Sequence, residues 1–105
     1  MSESMEQQVF NALGLDNNWT SLDVIDKGCC FILTNQDLLR EKLNKRVVGD
    51  LKLLQSDVPM VRRKSLLAFA RRVASSLDAA IIRKRKQVRV KNKTISKYSY
   101  KLITA

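Results

Sequence analysis

The chain has 105 residues, of which 45% are hydrophobic, and 20 Lys and Arg residues outnumber 10 Asp and Glu residues to give a formal net charge of +10. That hydrophobic fraction is too high for a disordered chain. It predicts one domain, residues 1–105, with a hydrophobic core. No stretch approaches the roughly 18 apolar residues of a transmembrane helix, and the start MSESMEQQVF lacks the pattern of a signal peptide. We therefore expect an intracellular protein, cytoplasmic, or nuclear in a eukaryotic host.

The positive charge is concentrated in the second half of the chain. Residues 1–57 contain six basic and nine acidic residues, a net of −3, whereas residues 58–105 contain fourteen basic residues and one acid, Asp78, a net of +13. A concentrated field of one sign attracts polyanions and speeds their encounter with the protein. Nucleic acid is the leading candidate partner, and an anionic membrane surface and an acidic protein are the alternatives.

The N-terminal third predicts two short helices and a strand. Ser4 and Gln7 have the spacing of a capping box, and Gly14 fits the end of the helix that they begin. A brief second helix can follow, with Gly28 at its end. The apolar residues 29–33, CCFIL, precede a polar segment and predict a short buried strand.

A central helix is predicted to begin at Thr34. An apolar stripe follows at spacings of four and three residues: Leu39, Leu43, Val47, Leu51 and Leu54. Gly49 interrupts this stripe and costs about 1 kcal/mol relative to alanine inside a helix. We therefore expect a kink or a break near Gly49.

The next helix has the clearest pattern in the chain. Ser56 or Asp57 can cap it, and Pro59 stands where a first-turn proline is tolerated. Its apolar stripe is formed by Leu66, Phe69, Ala70, Val73, Leu77, Ala80 and Ile81. We expect the helix to end within residues 83–86. The cationic side chains there would interact favourably with the negative, C-terminal end of the helix dipole.

Residues 83–101, RKRKQVRVKNKTISKYSYK, contain nine Lys and Arg residues and no acid. Val88 and Val90 alternate with Arg89 and Lys91, and β-branched and aromatic residues alternate with polar residues after a turn. This alternation is typical of a β-hairpin. If the two valines face the core, Arg89 and Lys91 face outward together.

The predicted elements are helix, short helix, strand, helix, helix and hairpin. They define an α+β fold that is mainly helical, with three or four helices, a short strand and a C-terminal β-hairpin. This order resembles that of the winged-helix DNA-binding fold, in which a third helix enters the groove and a hairpin flanks it. The resemblance implies that the basic residues of the Pro59 helix face the groove and that the hairpin lysines follow the DNA backbone.

The sequence offers little for catalysis or for metal binding. It contains no histidine, no Gly-rich phosphate loop and no serine with nucleophile-elbow spacing. Asp23 and Asp26 are typical of a solvated helix surface, and Cys29 and Cys30 are typical of buried structural cysteines. We therefore expect a protein that is not an enzyme and that needs neither a cofactor nor a metal.

The candidate nucleic-acid-binding residues are the basic clusters of the second half and the cations of the hairpin. They are Arg62, Arg63, Lys64, Arg71, Arg72, Arg83, Lys84, Arg85, Lys86, Arg89, Lys91, Lys93, Lys97 and Lys101. Such side chains bind phosphates without regard to base sequence, and DNA is slightly preferred over RNA as the partner. Residues 62–64 and 83–86 also fit a nuclear import signal.

Three alternatives stay open from the sequence. The basic face can dock on an acidic protein, bind an anionic membrane surface, or be solvated without a partner. A homodimer is a further expectation, because one subunit is not expected to bury both of its long apolar stripes. Tyr98 and Tyr100 fit either stacking on unpaired bases or packing within the protein.

Overall fold

A computed structural model of the chain describes residues 4–17, 19 and 21–104. In this part of the chain, five α-helices and a 3₁₀ helix precede a two-stranded antiparallel sheet, which confirms the mainly helical α+β class with a C-terminal hairpin. The elements are α1 (Met5–Leu13), α2 (Leu22–Thr34), α3 (Gln36–Leu43), α4 (Lys45–Val48), the 3₁₀ helix (Lys52–Gln55), α5 (Pro59–Ser76), β1 (Ala79–Val90) and β2 (Lys93–Thr104). Every helix described is too short or too polar to cross a lipid bilayer.

Helix α1 begins and ends where the sequence predicts. The side-chain oxygen of Ser4 accepts a hydrogen bond from the backbone N–H of Gln7 at 3.2 Å, which satisfies one of the free donors of the first turn. Gly14 follows the last helical residue in the left-handed conformation, with φ 60°. This conformation favours glycine and ends helices.

The predicted strand at residues 29–33 is wrong, because these residues form the second half of α2. A short apolar run fits a buried helix segment as well as a buried strand. Here Ile25, Cys29 and Ile32 are buried at spacings of four and three residues, which places them on one side of a helix. The helical period therefore continues through the run.

Gly28 lies within α2 and does not end it, contrary to the prediction. A Cβ atom at this position would lie 2.8 Å from Leu13 Cδ2 and 2.9 Å from Leu66 Cδ2. The glycine therefore lets α1 and α5 approach α2 closely. This packing offsets the cost of about 1 kcal/mol that glycine brings to a helix interior.

The predicted break in the central helix is confirmed, and it comes in two steps. Asn44 adopts φ 78° after α3, and its side-chain oxygen accepts a hydrogen bond from the backbone N–H of Arg46 at 3.0 Å to begin α4. Gly49 ends α4 with φ 66° and ψ −156°, a combination that is essentially restricted to glycine. α3 itself begins at Gln36, two residues after the predicted start.

Helix α5 begins as expected with Pro59 in its first turn. The predicted cap at Ser56 or Asp57 is wrong, because the N-cap residue is Val58, whose side chain makes no capping hydrogen bond. The backbone N–H of Val58 donates to the Ser56 side-chain oxygen at 3.2 Å. The predicted end at residues 83–86 is wrong. α5 ends at Ser76, and Asp78 adopts φ 52° before β1 begins. Aspartate enters this left-handed region more readily than most residues do.

The basic run 83–86 therefore belongs to β1 and does not interact with the end of a helix dipole. β1 and β2 pair antiparallel over their whole length, from Ala79 opposite Thr104 to Val90 opposite Lys93. The turn consists of Lys91 and Asn92, both with positive φ, 48° and 65°. A two-residue turn of this type matches the twist of the strands that it joins.

The buried side chains of the helices, Trp19 and Tyr100 form one hydrophobic cluster. Leu39 of one predicted stripe and Leu66 and Phe69 of the other are all fully buried in this cluster. A single chain therefore buries most residues of both stripes. The burial weakens the reason for expecting a homodimer, that one subunit leaves a stripe uncovered, and the homodimer itself stays a prediction.

The order of helices followed by a hairpin, which suggested the winged-helix resemblance, is present. The strand that was expected between the second and third helices is part of α2. The described residues contain a sheet of only the two hairpin strands. The resemblance is therefore limited to the final helix and the hairpin that follows it.

Candidate nucleic-acid interface

The register of the hairpin separates its lysines from its arginines. Residues directly opposite each other share a face, and successive residues alternate between faces. One face, here called the lysine face, carries Lys84, Lys86, Lys93, Lys97 and Lys101. The other, here called the arginine face, carries Arg83, Arg85 and Arg89. Lys97 and Lys101 of β2 thus lie on the same face.

The end of the arginine face that is farther from the turn packs on the helical body. Tyr100 is only 5% exposed, and its ring meets that of Trp19 edge to face, with 5.7 Å between the ring centroids. Leu102 and Tyr98 are half-buried on the same face. Because the two faces of a ribbon point in opposite directions, the lysine face is turned away from the helices. Tyr100 is therefore a packing residue.

Tyr98 lies beneath a cation. The guanidinium carbon of Arg83 is 5.0 Å from the centroid of the Tyr98 ring, within the range of a cation–π contact. The contact fixes the Arg83 side chain on the arginine face. It also covers one surface of the ring, which reduces the area that a base could stack on.

Val88 and Val90 do not face the core. They lie on the lysine face near the turn, opposite Ile95 and Lys93, and Val90 is 43% exposed. Arg89 lies on the arginine face. The valines alternate as expected, but this end of the hairpin extends beyond the helical body, so neither face of it is covered.

The hairpin cations are exposed and have no acidic partner among the described residues. All five lysines of the lysine face are exposed, and so are the three arginines of the opposite face. The one ion pair in the described part of the chain joins Arg62 to Asp26. Lys86 lies directly opposite Lys97, an arrangement of like charges that destabilises a strand pair. An anion placed between them would relieve this repulsion.

Arg62, a predicted binding residue, is used within the fold. Its Nη1 donates to the backbone oxygen of Ser56 at 2.7 Å, and its Nη2 lies 3.1 Å from Asp26 Oδ1. The side chain is 20% exposed. These bonds join the start of α5 to α2, so Arg62 has a structural role and its side chain is only partly accessible to a phosphate.

Arg72 is likewise structural, in contrast to its neighbour. Its Nε donates to the backbone oxygen of Val47 at 3.0 Å, and its Nη2 donates to that of Val48 at 3.3 Å. These carbonyls lie at the end of α4, where helices leave acceptors unpaired. Arg71 is exposed and makes no hydrogen bond to another described residue. The RR pair of the sequence therefore has two different roles.

Arg63 and Lys64 join Arg83 at a groove between α5 and the hairpin. The groove has a volume of about 240 Å³ and is also lined by Met60, Leu67, Tyr98 and Tyr100. Met60 is 64% exposed. The groove could not be predicted from the sequence because its two walls, on α5 and the hairpin, are about 20 residues apart in the chain and meet only when the hairpin packs on the helices.

The two cysteines differ in exposure, and the expectation that both are buried is wrong for one of them. Cys29 is buried, whereas Cys30, the next residue of α2, is exposed. Burial raises the pKa of the Cys29 thiol above its ordinary value; the Arg62 charge lowers this pKa and the Asp26 charge raises it, but both effects are smaller than that of burial. Within the described residues no three His, Cys, Asp or Glu side chains are grouped so as to hold a metal.

The geometry thus places the cations of the two hairpin strands on two opposed surfaces, whereas Arg62 and Arg72 make hydrogen bonds within the fold. Arg63 and Lys64 remain beside the arginine face, and Arg71 remains an isolated exposed cation. Comparison of the chain with protein-family models, with curated proteins and with solved structures gives no match.

Proposed function

We propose that this protein binds nucleic acid through its C-terminal hairpin, without catalysis, and that the lysine face is its main phosphate-binding surface. The observation that carries the proposal is the register, which puts five exposed lysines on the face turned away from the helical body. Lysine binds phosphate as a point charge and without base preference. The intracellular location that the sequence predicts is where such a ligand is found.

The length of the lysine face suits a double helix. Lys93 and Lys101 are eight residues apart on β2, which is about 26 Å at roughly 3.3 Å per residue. That distance corresponds to about eight base pairs at roughly 3.4 Å per base pair. The major groove of B-form DNA also admits a two-stranded ribbon, whereas that of A-form RNA is too narrow for side chains to read. The proposal therefore favours duplex DNA.

A quadruple variant tests the proposal. K84Q/K86Q/K97Q/K101Q removes four of the five lysines but keeps exposed Lys64, Arg85 and Arg89, which can contact about three phosphates. Each phosphate contact contributes about 0.9 to the salt slope, so the loss of two contacts lowers the affinity for a 12-base-pair duplex about thirtyfold at 0.15 M salt. Fluorescence anisotropy with a labelled duplex measures this directly.

The matched control is K27Q/K42Q/K45Q/K52Q. It removes the same number of charges from exposed positions on the helical body, so the two variants have equal net charge. We expect the control to bind the duplex within a few-fold of the wild type. Equal losses in the two variants would show that net charge alone attracts DNA, and the proposed surface would be wrong.

A second candidate function rests on the groove between α5 and the hairpin. Its exposed Met60 and half-buried Leu67, next to three cations, suit an acidic peptide that also carries apolar side chains. Binding of such a peptide would be lost when Met60 is replaced by glutamate, and the lysine-face variant K84Q/K86Q/K97Q/K101Q would still bind it. DNA binding by the lysine face has the opposite dependence, so the same two variants distinguish the candidates.

A further inference from the structure

We infer that the hairpin holds two nucleic-acid segments at once, one on the lysine face and a second on the opposite surface, so that the protein bridges them. The second surface, here called the arginine surface, consists of Arg83, Arg85 and Arg89 together with Arg63 and Lys64 of α5. The inference rests on the proposed function and extends it from binding to bridging.

The arginine surface has the composition of a phosphate-binding site in its own right. It carries five cations, as many as the lysine face, and three of them, Lys64, Arg85 and Arg89, are exposed and make no hydrogen bond or ion pair with a described residue. Arg83 is held by the Tyr98 ring and points to the groove where Arg63 and Lys64 lie. A guanidinium group often binds a phosphate in a bidentate way, with two parallel N–H···O hydrogen bonds.

A rigid duplex that lies along the lysine face does not reach the arginine surface. Along β1, Arg85 points to one side of the ribbon and its neighbours Lys84 and Lys86 point to the other. Arg83 cannot turn to the lysine face without losing its contact with Tyr98. Among the residues that the structure describes, no acidic side chain forms an ion pair with Arg83, Arg85, Arg89, Arg63 or Lys64, since the one ion pair found there joins Arg62 to Asp26. A duplex on the lysine face therefore leaves the arginine surface charged and open.

The two surfaces are expected to differ in their affinity for nucleic acid. The lysine face offers five free contacts and the arginine surface about three, so the first segment binds about thirtyfold more tightly at 0.15 M salt. The second segment binds more weakly because one arginine is held by Tyr98 and Arg63 is half-buried. Bridging is thus expected at protein concentrations that saturate the lysine face but do not exceed the concentration of duplex.

A capture assay tests the inference. One 12-base-pair duplex carries biotin and is held on beads; a second carries a dye and is added with the protein. The wild type is expected to retain the dye-labelled duplex on the beads, with a maximum near equal amounts of protein and duplex and a fall in protein excess. Dye retention that stays at background while protein binds the beads would overturn the inference and leave the proposed function intact. Failure to bind the beads at all would refute the proposed function itself.

The decisive variant is K64Q/R85Q/R89Q, which removes the three free cations of the arginine surface. It is expected to bind a single duplex within about twofold of the wild type, since the lysine face carries that contact, and to lose at least nine-tenths of the captured dye by the estimate of about three lost phosphate contacts. K27Q/K42Q/K52Q, with the same charge removed from the helical body, is expected to retain capture.

The same variant distinguishes bridging by one chain from bridging by a pair of chains. If two copies each presented a lysine face, K64Q/R85Q/R89Q would still capture the second duplex, and the inference would be wrong. Sedimentation velocity on the same samples is expected to show a monomer for the wild type and for the variant. A wild-type dimer that dissociates in the variant would also overturn bridging by opposed faces.

Discussion

Replacing Arg72 by alanine removes two hydrogen bonds that hold α5 against the end of α4. The bonds run from the guanidinium to the backbone oxygens of Val47 and Val48. Hydrogen bonds that involve a charged group contribute about 1.5–3 kcal/mol each when sheltered, and the residue is exposed, so we take about 1 kcal/mol for each bond. The free energy of unfolding is then expected to fall by about 2 kcal/mol, which corresponds to a decrease in Tm of about 10 °C for a domain of this size.

Arg71 supplies the control for this prediction. It is the same residue type at the next position of the same helix, it is exposed, and it makes no hydrogen bond to a described residue. Arg71→Ala is expected to change the free energy of unfolding by less than about 0.5 kcal/mol, as exposed substitutions usually do. Thermal unfolding followed by far-UV circular dichroism compares the two variants. Equal Tm values for Arg71→Ala and Arg72→Ala would refute the structural role that we assign to Arg72.

Three further predictions concern the anchoring of the hairpin and the two cysteines. Tyr100→Ala removes a buried ring from its contact with Trp19 and is expected to lower the free energy of unfolding by about 3 kcal/mol. The Trp19 fluorescence is expected to shift to longer wavelength in the folded protein, and an unchanged emission maximum would contradict the packing. A thiol reagent is expected to modify exposed Cys30 at neutral pH and to reach Cys29 only after unfolding; rapid modification of both thiols would contradict the burial of Cys29. Burial raises the pKa of the Cys29 thiol, so the unfolded chain releases this proton at a lower pH than the folded protein. The stability that the thiol contributes is therefore full below about pH 8.5 and is lost as the pH rises further; denaturation at several pH values, with Cys29→Ala as control, is expected to show this loss in the wild type alone.

The parts of the fold that follow from local chemistry could be predicted from the sequence. Ser4, Gly14 and Pro59 mark helix ends because their side chains or backbone conformations act on their own turn. The hairpin follows from alternation of residue types, which a strand needs whatever it packs against. Gly49 marks a break because its backbone conformation suits almost no other residue.

The errors lie where two periodic patterns overlap or where packing decides. The apolar residues 29–33 fit a strand until the buried positions of the preceding residues are known. Residues 77–81 fit the end of a helical stripe and also the start of a strand, and Asp78 decides between them through its positive φ. Gly28 stays in a helix because of two leucines on other helices, which local sequence cannot indicate.

The candidate site depends on the register of the strands more than on composition. The number of cations is evident from the sequence, but their division between two faces requires the turn to fall at Lys91 and Asn92. A shift of the register by one residue would change which side chains are opposite each other. The roles of Arg62 and Arg72 could not be predicted either, because their partners lie 36 and about 25 residues away in the chain.

The salt dependence of binding to a 12-base-pair duplex tests the central claim most directly. Five phosphate contacts predict a slope of about −4.5 in log affinity against log salt for the wild type. About three contacts predict a slope of about −2.7 for K84Q/K86Q/K97Q/K101Q, while K27Q/K42Q/K45Q/K52Q is expected to keep the wild-type slope. A lysine-face variant with an unchanged slope, or a control variant with an equally reduced one, would contradict the assignment of the lysine face as the DNA-binding surface.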